Sequence, residues 1–177
     1  MNKFIFCFFI CLLTSSCSNE FDGTNTETDK KFFDLKGYMQ SEIERLSDFS
    51  IQKEIKIDGE SEQIKISDVA WEKELAIFFE SDINKVAWET EFEVSQKNDV
   101  TTYTTENENI PVKKIQFLTD YDGNLNKLFI TREKENLLYK STEKISYRPT
   151  YGFQIITDRK IILSDPQKIE INASFVR

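Results

Sequence analysis

Oxygen-bearing side chains alternate through the stretch DYDGNLN. Asp120, Asp122 and Asn124 stand at every second position, the spacing with which calcium-binding loops collect hard oxygen ligands. An EF-hand loop that begins at Asp120 would also need glycine at its sixth position and glutamate at its twelfth, where leucine and threonine stand instead. An Asp-Gly step between two apolar stretches is also typical of a tight hairpin turn. The three residues are therefore weak metal-ligand candidates, and we expect no cofactor.

Clusters of acidic residues could supply the paired carboxylates of a glycoside hydrolase. Three such clusters are Asp58/Glu60/Glu62, Glu106/Glu108 and Glu133/Glu135. Among 31 acidic residues, however, close pairs also arise by chance as solvated charges. The chain has no histidine and its five glycines are dispersed, which removes Ser-His-Asp triads, the usual zinc ligand sets and phosphate-binding loops. We predict a non-catalytic protein, with a carboxylate-dependent hydrolase as the alternative.

The cysteines indicate the cellular location of the protein rather than a disulfide or a metal site. An uncharged apolar run of ten residues, Phe4 to Leu13, is too short to span a membrane but fits the centre of a signal peptide. It leads into LTSSC, which resembles the lipobox of bacterial lipoproteins. The resemblance implies a signal peptide over 1–16 that carries Cys7 and Cys11 away, and acylation of Cys17. It also implies a lipid anchor at the outer membrane, facing the periplasm or the exterior; an ordinary signal peptide is the alternative.

Charge narrows the possible partners. The formal net charge of −8 argues against nucleic acid, because binding phosphates requires clustered Lys and Arg. An anionic membrane surface would repel such a chain as well. The predicted contact with the membrane therefore depends on acyl chains, each buried methylene of which contributes about 0.8 kcal/mol.

A polar tether and one folded domain are predicted beyond the signal peptide. Residues 17–30 comprise the lipidated cysteine and a polar stretch without periodicity, which is typical of a flexible linker. Residues 31–177 have the length of a single domain. Apolar residues within 31–48 recur at helical spacing and predict an amphipathic helix that packs on a sheet; they are Phe32, Leu35, Met39, Ile43 and Leu46. Ser41, Glu42, Glu44 and Arg45 between them are expected on its polar face.

The remaining pattern predicts the α+β class. Asp58-Gly59 between alternating stretches 51–57 and 63–66 predicts a β-hairpin, and a second helix capped by Ser67 or Asp68 should end near Ser81. Short alternating stretches follow: 91–96, 100–105, 112–119, 125–132, 136–141, 144–148, 151–157, 160–163 and 168–176. Their short connections require antiparallel neighbours. We therefore expect two helices in the N-terminal half, packed on a large curved antiparallel meander that could form a half-barrel.

Aromatic residues are frequent in the predicted strands. They are Tyr103, Phe117, Tyr121, Phe129, Tyr139, Tyr147, Tyr151 and Phe153. They fill the core or line an apolar cleft in the sheet. The layout resembles lipid-handling half-barrel carriers, and the composition, with EKELAIFFESDINKVAW, resembles small Bacteroidetes-type lipoproteins of unassigned function.

These patterns predict a lipid-anchored, non-catalytic binding or assembly module. Its partner would be a protein that pairs with an exposed strand edge, or an apolar ligand in the cleft, as in a lipid carrier.

The predicted acylation of Cys17 and the membrane location can be tested directly. Cys17→Ser should abolish incorporation of a fatty-acid probe and release the protein from the membrane fraction, because the substitution removes the acylated thiol. Cys11→Ser is the matched control and should change neither result. A Cys17→Ser protein that still incorporates the probe would contradict the lipobox.

Overall fold

The computed structural model describes residues 30–177, so Cys17, the predicted signal peptide and nearly all of the tether lie outside the described residues. The described chain is dominated by nine strands. They are β1 Ser50–Ile57, β2 Glu60–Ile66, β3 Glu93–Lys97, β4 Val100–Thr104, β5 Val112–Thr119, β6 Leu125–Glu135, β7 Tyr139–Arg148, β8 Gly152–Ile161 and β9 Gln167–Val176.

All nine strands form one antiparallel sheet in the order β2-β1-β9-β8-β7-β6-β5-β4-β3. Strands β3 to β9 follow one another as a meander, and the β1–β2 hairpin joins the sheet beside β9. The outermost strands β2 and β3 do not pair with each other, so the sheet stays open. The predicted α+β class with a large antiparallel meander is confirmed.

The connections lie at two opposite ends of the sheet. One end, which we call the cleft end, carries the β3–β4, β5–β6 and β7–β8 turns and the start of β1. The other end, which we call the tip end, carries the β1–β2, β4–β5, β6–β7 and β8–β9 connections. Strand β8, with ten residues, spans about 33 Å between the two ends.

Helix α1, Leu35–Leu46, confirms the predicted amphipathic helix. Asp34 caps its N-terminus, since the Asp34 carboxylate accepts a hydrogen bond from Gly37 N at 2.8 Å. Leu35, Met39 and Leu46 are buried on the face toward the sheet. Among the helices of residues 30–177, none is long and apolar enough to cross a membrane.

The second predicted helix is divided in two. Helix α2, Trp71–Glu74, and helix α3, Ala76–Glu80, are separated by Leu75, which leaves helical geometry at φ −97° and ψ 5°. The predicted cap at Ser67 or Asp68 is wrong, because α2 begins after Ala70 without a side-chain cap. Trp71 is buried edge-on against Phe175 of β9, so packing on the sheet determines where this helix begins. The predicted end near Ser81 is confirmed.

Two predicted breaks in the strands are wrong. Strand β7, Tyr139–Arg148, continues through the predicted break at 142–143, and strand β8, Gly152–Ile161, continues through the predicted break at 158–159. Asp158 and Arg159 pair with β7 on one side and β9 on the other, so they are not a corner. The hydrogen bonds to β7 and β9 keep Asp158 and Arg159 in extended conformation, although these two polar residues favour a turn by themselves.

Aromatic side chains fill the space between the helices and the sheet. Tyr103, Phe117, Tyr147 and Phe153 of the strands are all buried. Their rings pack edge-on or tilted against rings from the helical layer, as in the pairs Phe33–Phe117 at 4.8 Å and Phe78–Tyr147 at 5.3 Å between centroids. Among the described residues, the buried core extends from Phe32 to Ala173.

Gly152 lies in close backbone contact with the neighbouring strand β9. Its φ is +138°, and a Cβ placed there would lie 1.9 Å from the carbonyl oxygen of Ala173 on β9. Gly59, in the β1–β2 turn, also has a positive φ of +96° but has open space around it. The two glycines therefore separate the cost of backbone strain from the cost of a clash.

We expect Gly152→Ala to lower the free energy of unfolding by more than about 2 kcal/mol, because strain and displacement of β9 add. Gly59→Ala, the matched control, should cost only about 1 kcal/mol. Urea denaturation followed by circular dichroism measures both. Equal losses for the two variants would contradict the contact between β8 and β9.

Candidate functional site

An open cleft of about 720 Å³ lies at the cleft end, between α1 and the turns of the sheet. Three aromatic rings contribute to its walls: Phe33, Tyr38 and Phe49. Arg45 and Arg177 add positive charge, and the β5–β6 and β7–β8 turns complete the rim. We call this site the Arg45 cleft. It combines apolar walls with guanidinium groups, in a volume typical of small-molecule sites.

Arg45 is held rigidly at the cleft wall. Its Nε and Nη2 donate to the two carboxylate oxygens of Glu42 at 2.8 and 2.6 Å, and Nη2 also donates to the carbonyl oxygen of Pro149 at 2.7 Å. The guanidinium stacks on Phe49 and Phe175, each 5.9 Å from the ring centroid. The Arg45 side chain is nevertheless 39% exposed, so the guanidinium can be reached from the open cleft.

Glu42 links the helix to the sheet. It is only 5% exposed and accepts a short hydrogen bond from the hydroxyl of Tyr147, which is fully buried on β7. The carboxylate thus joins α1 to β7 and fixes the position of Arg45. Sequence reasoning placed Glu42 on the polar face of the helix, and that interpretation is wrong. The signal was its spacing: Glu42 follows Met39 by three positions and precedes Leu46 by four, which puts it on the buried face.

Burial and the Glu42 charge govern the ionisation of the neighbouring tyrosines. Burial first, and then hydrogen bonding to Glu42, raise the pKa of Tyr147 far above its usual value near 10. Burial and the same carboxylate also raise the pKa of Tyr38. Hydrogen bonding to Glu42 raises the pKa of Arg45. Tyr147 is therefore a neutral donor to Glu42, and Arg45 is a permanent cation that the same carboxylate holds at the cleft wall.

The predicted metal candidates lie at the rim of this cleft. Asp120 accepts hydrogen bonds from the backbone N–H groups of Asp122 and Asn124 at 3.0 and 2.8 Å, which lower its pKa. Its carboxylate thus stabilises the β5–β6 turn, whereas Asn124 lines the cleft. Within the described residues, no group of three or more Asp or Glu side chains is arranged to hold a metal ion.

Two of the three acidic clusters meet in a second groove. Glu106, Glu108, Glu133 and Glu135 line an open groove of about 870 Å³ at the tip end. All four are exposed, and Glu135 pairs with Lys140 at 2.7 Å. Lysines alternate with the glutamates along the walls. The third cluster, Asp58/Glu60/Glu62, is exposed around the β1–β2 turn.

The strand aromatics separate into two groups. Those already described in the core do not line a cleft. Tyr121 and Tyr151 are exposed in turns at the cleft end, and Tyr139 is half-buried on β7. Phe129 is exposed on the sheet face away from the helices, with Lys127 Nζ 4.0 Å from its ring centroid.

Arg132 is a second buried charge that the sequence pattern did not reveal. It lies on β6, is 3% exposed, and its guanidinium approaches Glu80 at 3.0 Å and Glu143 at 3.3 Å. It also donates to the carbonyl oxygen of Ile77 at 3.4 Å. These contacts join α3 to the sheet, and the carboxylate of Glu143 compensates the buried charge. This cluster lies among side chains of the core and is structural.

Protein-family models, curated proteins and solved structures were compared with the chain, and none matches. The function of the Arg45 cleft therefore has to be argued from its geometry and charge.

The bond between Tyr147 and Glu42 should be measurable as stability. We expect Tyr147→Phe to lower the free energy of unfolding by about 1–3 kcal/mol, because the buried carboxylate loses a donor. Tyr151→Phe, which changes an exposed ring, is the matched control and should be neutral. Urea denaturation provides the measurement, and a neutral Tyr147→Phe would contradict the role of the hydroxyl.

The same bond should make stability fall at high pH. Because the pKa of Tyr147 is raised on folding, the unfolded chain releases its proton first, near pH 10. The stabilisation is therefore complete below about pH 10 and decreases as the pH rises further. Denaturation curves between about pH 9 and 11 should show a shallower decline for Tyr147→Phe than for the wild type. Identical slopes would mean that this tyrosine does not contribute.

Proposed function

We propose that the protein is a lipid-anchored, non-catalytic binding module of the cell envelope, which binds an amphipathic anion in the Arg45 cleft. The observation that carries the proposal is the juxtaposition of a fixed guanidinium with aromatic walls in one open cleft. A carboxylate or phosphate head group would accept hydrogen bonds from Arg45, and an apolar body would cover the rings.

The two kinds of contact have different roles. Arg45 is positioned before any ligand binds, since Glu42 and Pro149 hold it, so little side-chain entropy is lost on binding. A charge-assisted hydrogen bond of this kind contributes about 1.5–3 kcal/mol. Contact with Phe33 and Phe49 removes apolar surface from water at about 25 cal/mol per Å². The hydrogen bonds of the anionic head group orient the ligand, and the contact of its apolar body with the rings provides most of the binding affinity.

The tip-end groove supports a hydrolase less well. A glycosidase needs a general acid whose carboxyl group is kept protonated by an apolar environment. The four glutamates of that groove are exposed, and lysines stand between them. The glutamates and lysines therefore suit solvated ion pairs rather than a catalytic pair, and we favour the non-catalytic proposal over a hydrolase.

Assembly through a strand edge is also less well supported. The edge strand β3 has only five residues and carries Glu93 and Lys97 at its ends. The other edge, β2, carries Glu60, Glu62 and Lys65. Short and charged edge strands are the devices with which proteins prevent strand addition. The cleft is therefore the better candidate for the binding function.

Binding of dodecanoate by purified Cys17→Ser protein tests this proposal. Isothermal titration should show saturable binding of dodecanoate and weaker binding of dodecanol, which has the same chain without the charge. Arg45→Met should weaken dodecanoate binding about tenfold, the equivalent of one charge-assisted hydrogen bond. Native mass spectrometry of the same protein would reveal a ligand that co-purifies.

Arg148→Met is the matched control, because Arg148 lies on β7 with its side chain on the opposite face from Tyr147. It should bind dodecanoate like the parent. Circular dichroism shows whether Arg45→Met is folded, and Arg45→Lys, which keeps the charge, should retain part of the affinity. Absence of saturable binding, or an equal loss in Arg148→Met, would refute the proposed site.

A further inference from the structure

Five large aliphatic side chains are exposed together at the tip end. Leu137 and Leu138 in the β6–β7 turn are 91% and 69% exposed, and Ile161, Ile162 and Leu163 at the end of β8 are 42%, 58% and 102% exposed. The backbone N–H of Ile162 donates to the carbonyl oxygen of Leu138 at 2.9 Å, so the two turns are joined. We call this group the aliphatic tip.

The tip is costly to the isolated chain in two ways. Five aliphatic side chains remain in water, although scattered single residues are the norm for a protein surface. In addition, Leu163 has φ +65°, a left-handed conformation that glycine or asparagine adopts more easily. Neither property helps the turn to fold, which points to a partner that covers these side chains.

We propose that the aliphatic tip inserts into the interface of a lipid bilayer and orients the protein on the membrane. The side chains project from two neighbouring turns at the end of the sheet, with a small pocket between Leu138 and Ile161, and a fluid bilayer can adapt to such a surface. This inference rests on the proposed function in one respect: the lipid at Cys17 is taken to hold the chain at that membrane.

The described chain starts near the helical layer, where Phe33 lines the Arg45 cleft. The tether therefore has to cover the length of the sheet, about 33 Å, to reach the tip end. Lys31 Nζ donates to the carbonyl oxygen of Glu89 at 2.6 Å, a few residues before β3 begins at the tip end with Glu93. Thirteen residues, from Ser18 to Lys30, separate Cys17 from the domain, and a chain of that length reaches up to about 45 Å. The anchor can therefore meet the membrane on which the tip rests.

Charge near the tip favours the same contact. The described residues carry 22 basic and 27 acidic side chains, a net −5. The turns of the tip are nevertheless bordered by several cations: Lys134, Lys140, Arg159, Lys160 and Lys168. Acidic residues lie beside them, among them Glu133, Glu135, Asp158 and Asp165. Residues 133–140 and 158–168 together carry five basic and four acidic side chains, and Asp58 accepts a hydrogen bond from the backbone N–H of Lys168. The tip is therefore close to neutral, and anionic lipids repel it less than the rest of the domain.

Fluorescence quenching in vesicles tests this orientation. The acylated protein purified from membranes, which has lost Cys7 and Cys11 with the signal peptide, is reconstituted into vesicles of phosphatidylethanolamine and phosphatidylglycerol that contain lipids with nitroxide-labelled acyl chains. An environment-sensitive probe is attached to Leu163→Cys or, as the matched control at the cleft end, to Tyr121→Cys, which is fully exposed. Labelling of the parent without an introduced cysteine supplies the background from Cys17.

We expect quenching at position 163 to be at least about threefold stronger than at position 121, because interfacial insertion buries a side chain about 5–10 Å into the bilayer. A probe at Leu137→Cys, in the neighbouring turn, should behave like the one at 163. Equal quenching at both ends of the sheet would overturn the inference, as would efficient disulfide cross-linking between two Leu163→Cys copies, which would make the tip a protein interface. Dodecanoate binding at the Arg45 cleft is measured separately, so either proposal can fail alone.

Discussion

The size of the helical layer is the constraint on which the rest of the structure depends. Nine strands at about 4.8 Å spacing make a sheet roughly 40 Å wide, whereas α1, with 12 residues, is about 18 Å long. Three short helices cannot cover such a face with aliphatic side chains alone. Large aromatic rings from both layers fill the space between them, which explains why aromatic pairs extend across the sheet, from Phe32 against Tyr103 of β4 to Trp71 of α2 against Phe175 of β9. What this layer leaves uncovered, at the two ends of the sheet, is where the proposed binding surfaces lie.

Buried charge determines how the helical layer is attached to the sheet. Glu42 joins α1 to β7 through Tyr147, and Arg132 joins β6 to α3. Apolar packing alone would let helices slide on a wide sheet, because the hydrophobic effect is not directional. A buried carboxylate that needs one particular hydroxyl permits a single register. The same bonds hold Arg45 at the wall of the cleft, so the geometry of the site follows from the way the layers are fixed together.

Periodicity along the chain predicted the elements well where local pattern and tertiary environment agree. The stripe of α1 and the Asp58-Gly59 turn are such cases, since one buried face or one turn type decides them. The break predicted between 157 and 160 is wrong, because Asp158 and Arg159 pair with β7 and β9 and this pairing overrides their local turn preference. The site was harder to predict, because Arg45, Phe49 and Asn124 converge only through the order of the strands. Glu42 could have been recognised by its place on the apolar stripe, but its partner Tyr147 is 105 residues away.

The separation of the two uncovered ends has a consequence for the proposed binding function. The strands run between the cleft end and the tip end, so the two surfaces lie about 33 Å apart at opposite ends of the sheet. If the aliphatic tip faces the bilayer, the Arg45 cleft opens into the aqueous phase, roughly one sheet length above the head groups. A ligand would then approach from solution or from an opposing membrane rather than by lateral diffusion from the anchoring bilayer. An amphipathic anion that approaches from solution has left both the apolar interior and the polar surface of a membrane. In the proposed site, the aromatic walls replace the apolar interior, and the fixed guanidinium provides a partner for the charged head group.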